Sequence, residues 1–122
     1  MTVSYTEPHD ELPPAVREVH RAITSLVEEL EAIDWYNQRA AIATEESLRQ
    51  VLAHNRDEEI EHAVMLLEWL RRELPMLDAQ LRERLFHAGP VVEAGHGEPV
   101  ASGGAPAAGA ADLGIGRFKK GS

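Results

Sequence analysis

Leu48-Arg-Gln-Val-Leu52-Ala-His-Asn55-Arg-Asp-Glu-Glu59-Ile-Glu-His62-Ala-Val-Met-Leu66-Leu-Glu-Trp69 is the stretch on which the fold turns. Its four-then-three spacing picks out Leu48, Leu52, Asn55, Glu59, His62, Leu66 and Trp69, the period of one helical face. The seam is apolar at both ends, but its middle is Asn55, Glu59 and His62. A carboxylate in such a seam is costly unless it is paired or bound to a metal. Glu59 and His62 also form Glu-x-x-His, and residues three apart share a helical face, so a carboxylate oxygen and an imidazole nitrogen can meet on one ion. A Glu–His ion pair on a solvated face fits the same spacing; the seam position argues against solvation.

Working outward, Thr44-Glu45-Glu46 reads as a helix N-cap with acids in the first turn, and the helix runs from about Glu45 to Arg72. Arg71 and Arg72 complement its dipole, and Pro75 lies just beyond. Before it, Pro13-Pro14 opens a first long helix whose stripe is Val16, Val19, Ile23, Leu26, Leu30 and Ile33. A connection this short makes the two helices antiparallel neighbours. A shorter third helix is expected over 75–87, with Leu77, Leu81 and Leu85 on one side, stopped by Gly89-Pro90.

The expected class is therefore all-α: an antiparallel two-helix hairpin plus a short third helix. The divisions are a disordered N-terminus (1–12), a helical domain (13–90), a flexible Gly/Ala/Pro linker (91–112) and a distinct terminal segment (113–122). That segment, Leu113-Gly-Ile-Gly-Arg-Phe-Lys-Lys-Gly-Ser, sets apolar side chains among glycines before two lysines. It fits a docking peptide, or a frayed end. A hairpin has no second layer for its stripe, so a second copy is expected to complete it by dimerisation.

Twelve basic against twenty-one acidic residues leave a formal net charge of −9, which disfavours nucleic acid and anionic lipid and favours cations. With no cysteine, disulfides, Cys-ligated zinc and iron–sulfur clusters are excluded. Residues 1–12 lack the basic and apolar regions of a secretory signal, and no run approaches the roughly 20 apolar residues of a membrane helix. A cytoplasmic protein with no membrane partner is expected.

The first helix supplies a complement to Glu59 and His62. Glu29 lies at the edge of its stripe, Tyr36 is two turns on along that edge, and Glu28 points away. Di-iron bundles take a Glu from each of two helices and a Glu-x-x-His from each of the other two. This chain has one of each, which is half a site. A two-fold dimer would supply four carboxylates and two imidazoles for two iron ions, a donor set suited to Fe²⁺. Tyr36 fits a hydrogen-bond donor to a ligand and a packed aromatic equally well. Glu28, Glu31 and Trp35 share an outer face that could pass inbound cations or simply be solvated. His54, Glu58 and Glu61, at i, i+4 and i+7, permit a looser cation site. His9, His20, His87 and His96 have no partner at ligand spacing. A structural adaptor, with Glu and His as a buried register device, is the alternative from another class.

At these residues the sequence resembles the encapsulated ferritins, the short ferritin-like proteins carried inside encapsulin shells. The resemblance rests on Glu28-Glu29-Leu-Glu31-Ala-Ile-Asp34-Trp35-Tyr36, on His54-Asn55-Arg56-Asp57-Glu58-Glu59-Ile-Glu61-His62, and on Leu67-Glu68-Trp69-Leu70-Arg71-Arg72. It spans about residues 20–90, and residues 113–119 look like the peptide by which such cargo docks on the shell. It implies half of a ferritin-like four-helix bundle and ferroxidase ligands at Glu29, Glu59 and His62, with Tyr36 beside them. Glu28, Glu31 and Trp35 would be the site where metal enters, and His54, Glu58 and Glu61 a secondary cation site. Calcium or other divalent cations would suit these outer sites. The resemblance further implies a ring of dimers, typically a decamer, with iron oxidised between subunits and stored as mineral inside an encapsulin nanocompartment.

Overall fold

The computed structural model describes residues 4–96. These belong to two units, Met1–Glu73 and Leu74–Ser122. The described residues form three α-helices and two short 3-10 helices and contain no strand, so the chain is all-α.

The first unit is a hairpin of α1 (Pro14–Ile42) and α2 (Glu46–Glu73). Pro14 occupies the first helical turn, where its missing N–H leaves nothing unpaired, and the Pro13 carbonyl receives the amides of Val16 and Arg17. Ala43 is extended and ends α1. The cap of α2 differs from the expected Thr44. It is the Glu45 carboxylate that accepts the amides of Ser47 (3.2 Å) and Leu48 (2.7 Å). The Ser47 hydroxyl first, and then those two amides, hold Glu45 below the ordinary carboxylate range.

The two helices pack against each other. Asn37 meets Arg56 and Glu29 meets His62, so positions rise along one helix as they fall along the other, and the pair is antiparallel. The packed lines lie beside the expected ones. On α2 the buried positions are Ala53, Arg56, Ala63 and Leu70, one residue beyond the stripe read from the sequence. On α1 they are Ala22 and Ala40, joined at three-four spacing by the half-buried Val19, Leu26, Glu29, Ile33 and Tyr36. Val16, Ile23 and Leu30, expected inside, are exposed. One residue is about 100° of helix, so two adjacent lines can each look like a seam. The closer-packed one is lined by alanine, whose small side chain weights an apolar pattern least. Large apolar side chains stay uncovered on the hairpin, among them Leu30 (54% exposed), Val64 (58%) and Met65 (58%).

Residues 4–12, expected to be disordered, are ordered against α1. A 3-10 turn at His9–Glu11 presents the His9 carbonyl to Arg17 Nε at 3.0 Å. Tyr5 stacks on His20 with 3.8 Å between ring centres and meets His9 edge-on. His9 and His20 therefore have partners after all, aromatic ones that helical spacing does not reveal.

The second unit contains α3 (Pro75–Arg84) and a 3-10 helix at Val91–His96. The expected end of α3 at 87 comes early: Leu85 is extended and Phe86 adopts φ 59°, a left-handed conformation that stops the helix before Gly89 is reached. Val91–His96, expected to begin a flexible linker, is a 3-10 helix joined to α3 through Arg84 Nη1, which donates to the Val92 carbonyl at 2.6 Å. The rest of that linker and the terminal segment 113–122 lie outside the described residues.

Candidate metal centre

Glu29 stands on the inner line of α1, and Glu59 and His62 stand one turn apart on α2 beside its buried line. The hairpin brings one ligand atom from each within 4.8 Å of the others, the single such cluster among the described residues. His62 Nδ1 lies 3.6 Å from Glu29 Oε2 and 3.6 Å from Glu59 Oε2, too long for either to be a hydrogen bond. The carboxylates are about three-quarters covered and the imidazole is more open.

Electrostatically the cluster is unfinished. Glu29 Oε2 is buried with no hydrogen-bond partner. The Glu29 pKa is raised, first because its protonated form can share a hydrogen bond with Glu59, then by burial and by the Glu59 charge, with His62 opposing. Two carboxylates crowded together with an orphaned oxygen favour a bound cation, and oxygen with imidazole nitrogen is a donor set for Fe²⁺ and its neighbours. The residues present fit a metal.

The sequence profile of the EncFtn-like family matches residues 4–88. The chain belongs to that family. It is similar to the "Ferritin-like protein" of Thermotoga maritima, 49% identical over 115 residues, covering 94% of this chain and 97% of the relative. It is also similar to the "Encapsulated ferritin-like protein" of Rhodospirillum rubrum, 48% identical over 120 residues, 93% of this chain and 86% of the relative. The crystal structure of protein ne0167 from Nitrosomonas europaea superposes with a TM-score of 0.70 at 53% identity, covering 73% of this chain and 98% of that one. As an EncFtn-like protein, the chain presents its two long helices as half of a ferritin-like bundle.

The remaining expected positions are less convergent. Tyr36 is half-buried on the inner line of α1, with the Arg39 guanidinium 5.4 Å from its ring centre. Glu28 borders a surface cleft of about 330 Å³ with Tyr5, His20 and Arg21. Trp35 is exposed and Glu31 half-buried, and no three-ligand cluster forms with them among the described residues. His54 Nε2 pairs with Glu58 Oε1 at 3.0 Å, but Glu61 does not join them in such a cluster. One polar residue went unread: Arg56 is fully buried. Its signal was a charge in the otherwise apolar line Ala53-Ile60-Ala63-Leu67-Leu70, which lies one residue beyond the line of larger side chains from Leu48 to Trp69.

No described helix is long and apolar enough to cross a membrane.

Proposed function

We propose that this EncFtn-like protein is a ferroxidase, and that its iron site is completed by a second copy of the chain. The observation that carries the reading is the orphaned, buried Glu29 Oε2 within ligand distance of Glu59 and His62. Each chain contributes two carboxylates and one imidazole, too few for two irons. A two-fold partner would double the set, and would cover apolar side chains such as Leu30, Val64 and Met65.

Fe²⁺ is the substrate. Glu29 and Glu59 attract it, His62 completes its ligands from this chain, and the anionic oxygens stabilise Fe³⁺ over Fe²⁺. Two Fe²⁺ surrender one electron each, and with two protons these reduce dioxygen to hydrogen peroxide. Peroxide is itself an acceptor for the same two electrons. Tyr36 borders the centre. Glu28, Glu31 and Trp35 draw cations toward it, assisted by the net charge of −9. The His54–Glu58 pair with Glu61 is a looser site for calcium or another divalent cation. Dimers assemble into a ring, a decamer at full size.

A relative's name describes it as encapsulated. This chain is proposed to be encapsulin cargo as well, docking through residues 113–122 and delivering Fe³⁺ for storage in the shell.

Anaerobic Fe²⁺ titration followed by native mass spectrometry and ferric absorbance after air admission tests the activity. The expected result is one iron per chain, bound only in even-numbered species, with oxidation on exposure to air. A monomer oxidising iron at the full per-chain rate, or no stoichiometric binding, overturns the reading.

A further inference from the structure

Arg56 is the largest fully buried side chain among the described residues, and burying a guanidinium is expensive unless its donors are engaged. Here they are engaged. Nη1 donates to Asn37 Oδ1 at 3.1 Å across the helix pair, and Nε and Nη2 donate to Asp57 Oδ1 at 3.2 and 3.1 Å. Asp57 follows Arg56 on α2 and adds nothing between helices. The bond to Asn37 joins α1 to α2.

We propose that the buried Arg56–Asn37 pair is a positioning device for the metal ligands, locking α1 and α2 in the register that sets Glu29 against Glu59 and His62. The proposal rests on the metal-centre reading above. Along α1, Asn37 lies two turns beyond Glu29; along α2, Arg56 lies somewhat under two turns before His62. The pair therefore sits on the loop side of the cluster, on the same two elements. The other buried positions of these helices are four alanines and a leucine. Such a surface is smooth and repeats, so a slip of one turn re-buries similar side chains at little loss. That slip moves Glu29 about 5.4 Å along the axis relative to His62 and ends their convergence. Apolar packing does not forbid it. The Arg56 Nη1 donor does, because Asp57 travels with Arg56 on α2 while Asn37 does not, and a buried donor that loses its acceptor costs more than a shifted methyl group. Stability alone would not require arginine here, since well-packed apolar replacements of buried ion pairs are often neutral or stabilising. Register is what the directional bond adds.

The test uses the full chain and Co²⁺ as a probe whose visible absorption reports ligand geometry. In the double variant Arg56→Met/Asn37→Leu both partners of the interhelical bond become apolar together, and the Asp57 carboxylate that loses Arg56 is about one-third exposed to solvent. Expected are unchanged helix content, a melting temperature at or above wild type, an altered Co²⁺ spectrum, and affinity weakened by about 10-fold, the lower range for losing a residue that orients ligands. Arg56→Lys, which keeps charge but loses the fork, should fall between. A folded double variant with wild-type Co²⁺ affinity and spectrum overturns the proposal. Should the double variant fail to fold, Arg56→Lys at matched helix content decides in the same way, and wild-type binding there overturns it. Wild-type protein whose Co²⁺ binding is absent, or indifferent to Glu59→Ala, overturns the metal-centre reading itself and the positioning role with it.

Discussion

Glu29 and Glu68 are the same side chain on the same hairpin, in opposite circumstances. Glu68 receives Arg71 Nε and Nη2 and Arg72 Nε, each at 2.7 Å, and these guanidinium groups lower its pKa to about 2. Glu29 faces another carboxylate, keeps a buried oxygen without a donor, and has its pKa raised. The chain neutralises one glutamate with its own cations and leaves the other deficient. A helix surface supplies partners three and four residues away at little cost, as Arg71 and Arg72 do. An interhelical position has no such neighbours unless the opposite helix offers them, and here that helix offers a second carboxylate, with the His62 imidazole opposing it only in part. A cation from outside would meet the deficit at Glu29, as the proposed metal site requires.

The largest effect should come from removing the ligands. Glu29→Ala, Glu59→Ala and His62→Ala should each lower Fe²⁺ affinity by about 100-fold or more, beyond the range for losing an outer-shell partner, and abolish most oxidation while circular dichroism stays unchanged. Normal iron binding in all three variants breaks the comparison at its root. Glu59→Gln sharpens it: with the second charge gone, the metal-free protein should melt higher than wild type although it binds iron less well.

Metal should act on assembly next. Binding between subunits stabilises the assembled form by about 2.7 kcal/mol when free metal is a hundredfold its dissociation constant. Sedimentation with and without metal should show Fe²⁺ shifting the population toward even-numbered species. Glu29→Ala should lose that shift, and an equal shift in this variant would place the metal elsewhere.

Acid should separate the two glutamates by sign. The folded Glu29 pKa is raised above 4.5, so its contribution to metal-free stability is complete below 4.5 and is lost as pH rises through the raised value. Metal reverses this, because proton and cation compete for the same oxygens, and the metal-loaded form should gain stability over the same rise. The Glu68 contribution runs the other way: it is present above 4.5 and lost as pH falls through about 2. Thermal melts from pH 4 to 7, with and without Co²⁺, should give slopes of opposite sign. Parallel slopes would mean that Glu29 is not where the metal binds.

The smallest effect belongs to Glu68→Gln. Exposed ion pairs are screened by solvent, so this variant should bind metal as wild type does and melt only slightly lower in low salt. A large loss of metal binding would show that the paired glutamate is not the self-contained counterpart it resembles.

The sequence by itself determined that the chain is a helical hairpin with a short third helix, because the three-four period, the prolines and the terminal arginines act locally. It also picked out the three side chains that the hairpin brings together, since Glu59 and His62 share a face through spacing alone and Glu29 is the acid beside the stripe of the other helix. Tertiary structure decided which of two adjacent lines on each helix is packed inside. One residue separates those lines on α2, and only the approach of α1 selects the alanine-lined one, carrying Arg56 into the interior and leaving Leu48 and Trp69 of the other line exposed. The ordering of residues 4–12 was likewise beyond local reading, because Tyr5 meets His20 fifteen positions away by ring stacking, which has no sequence period. Glu29's deficit belongs with these, since a carboxylate's pKa is set by what the fold places beside it, and no helical spacing places Glu59 beside Glu29.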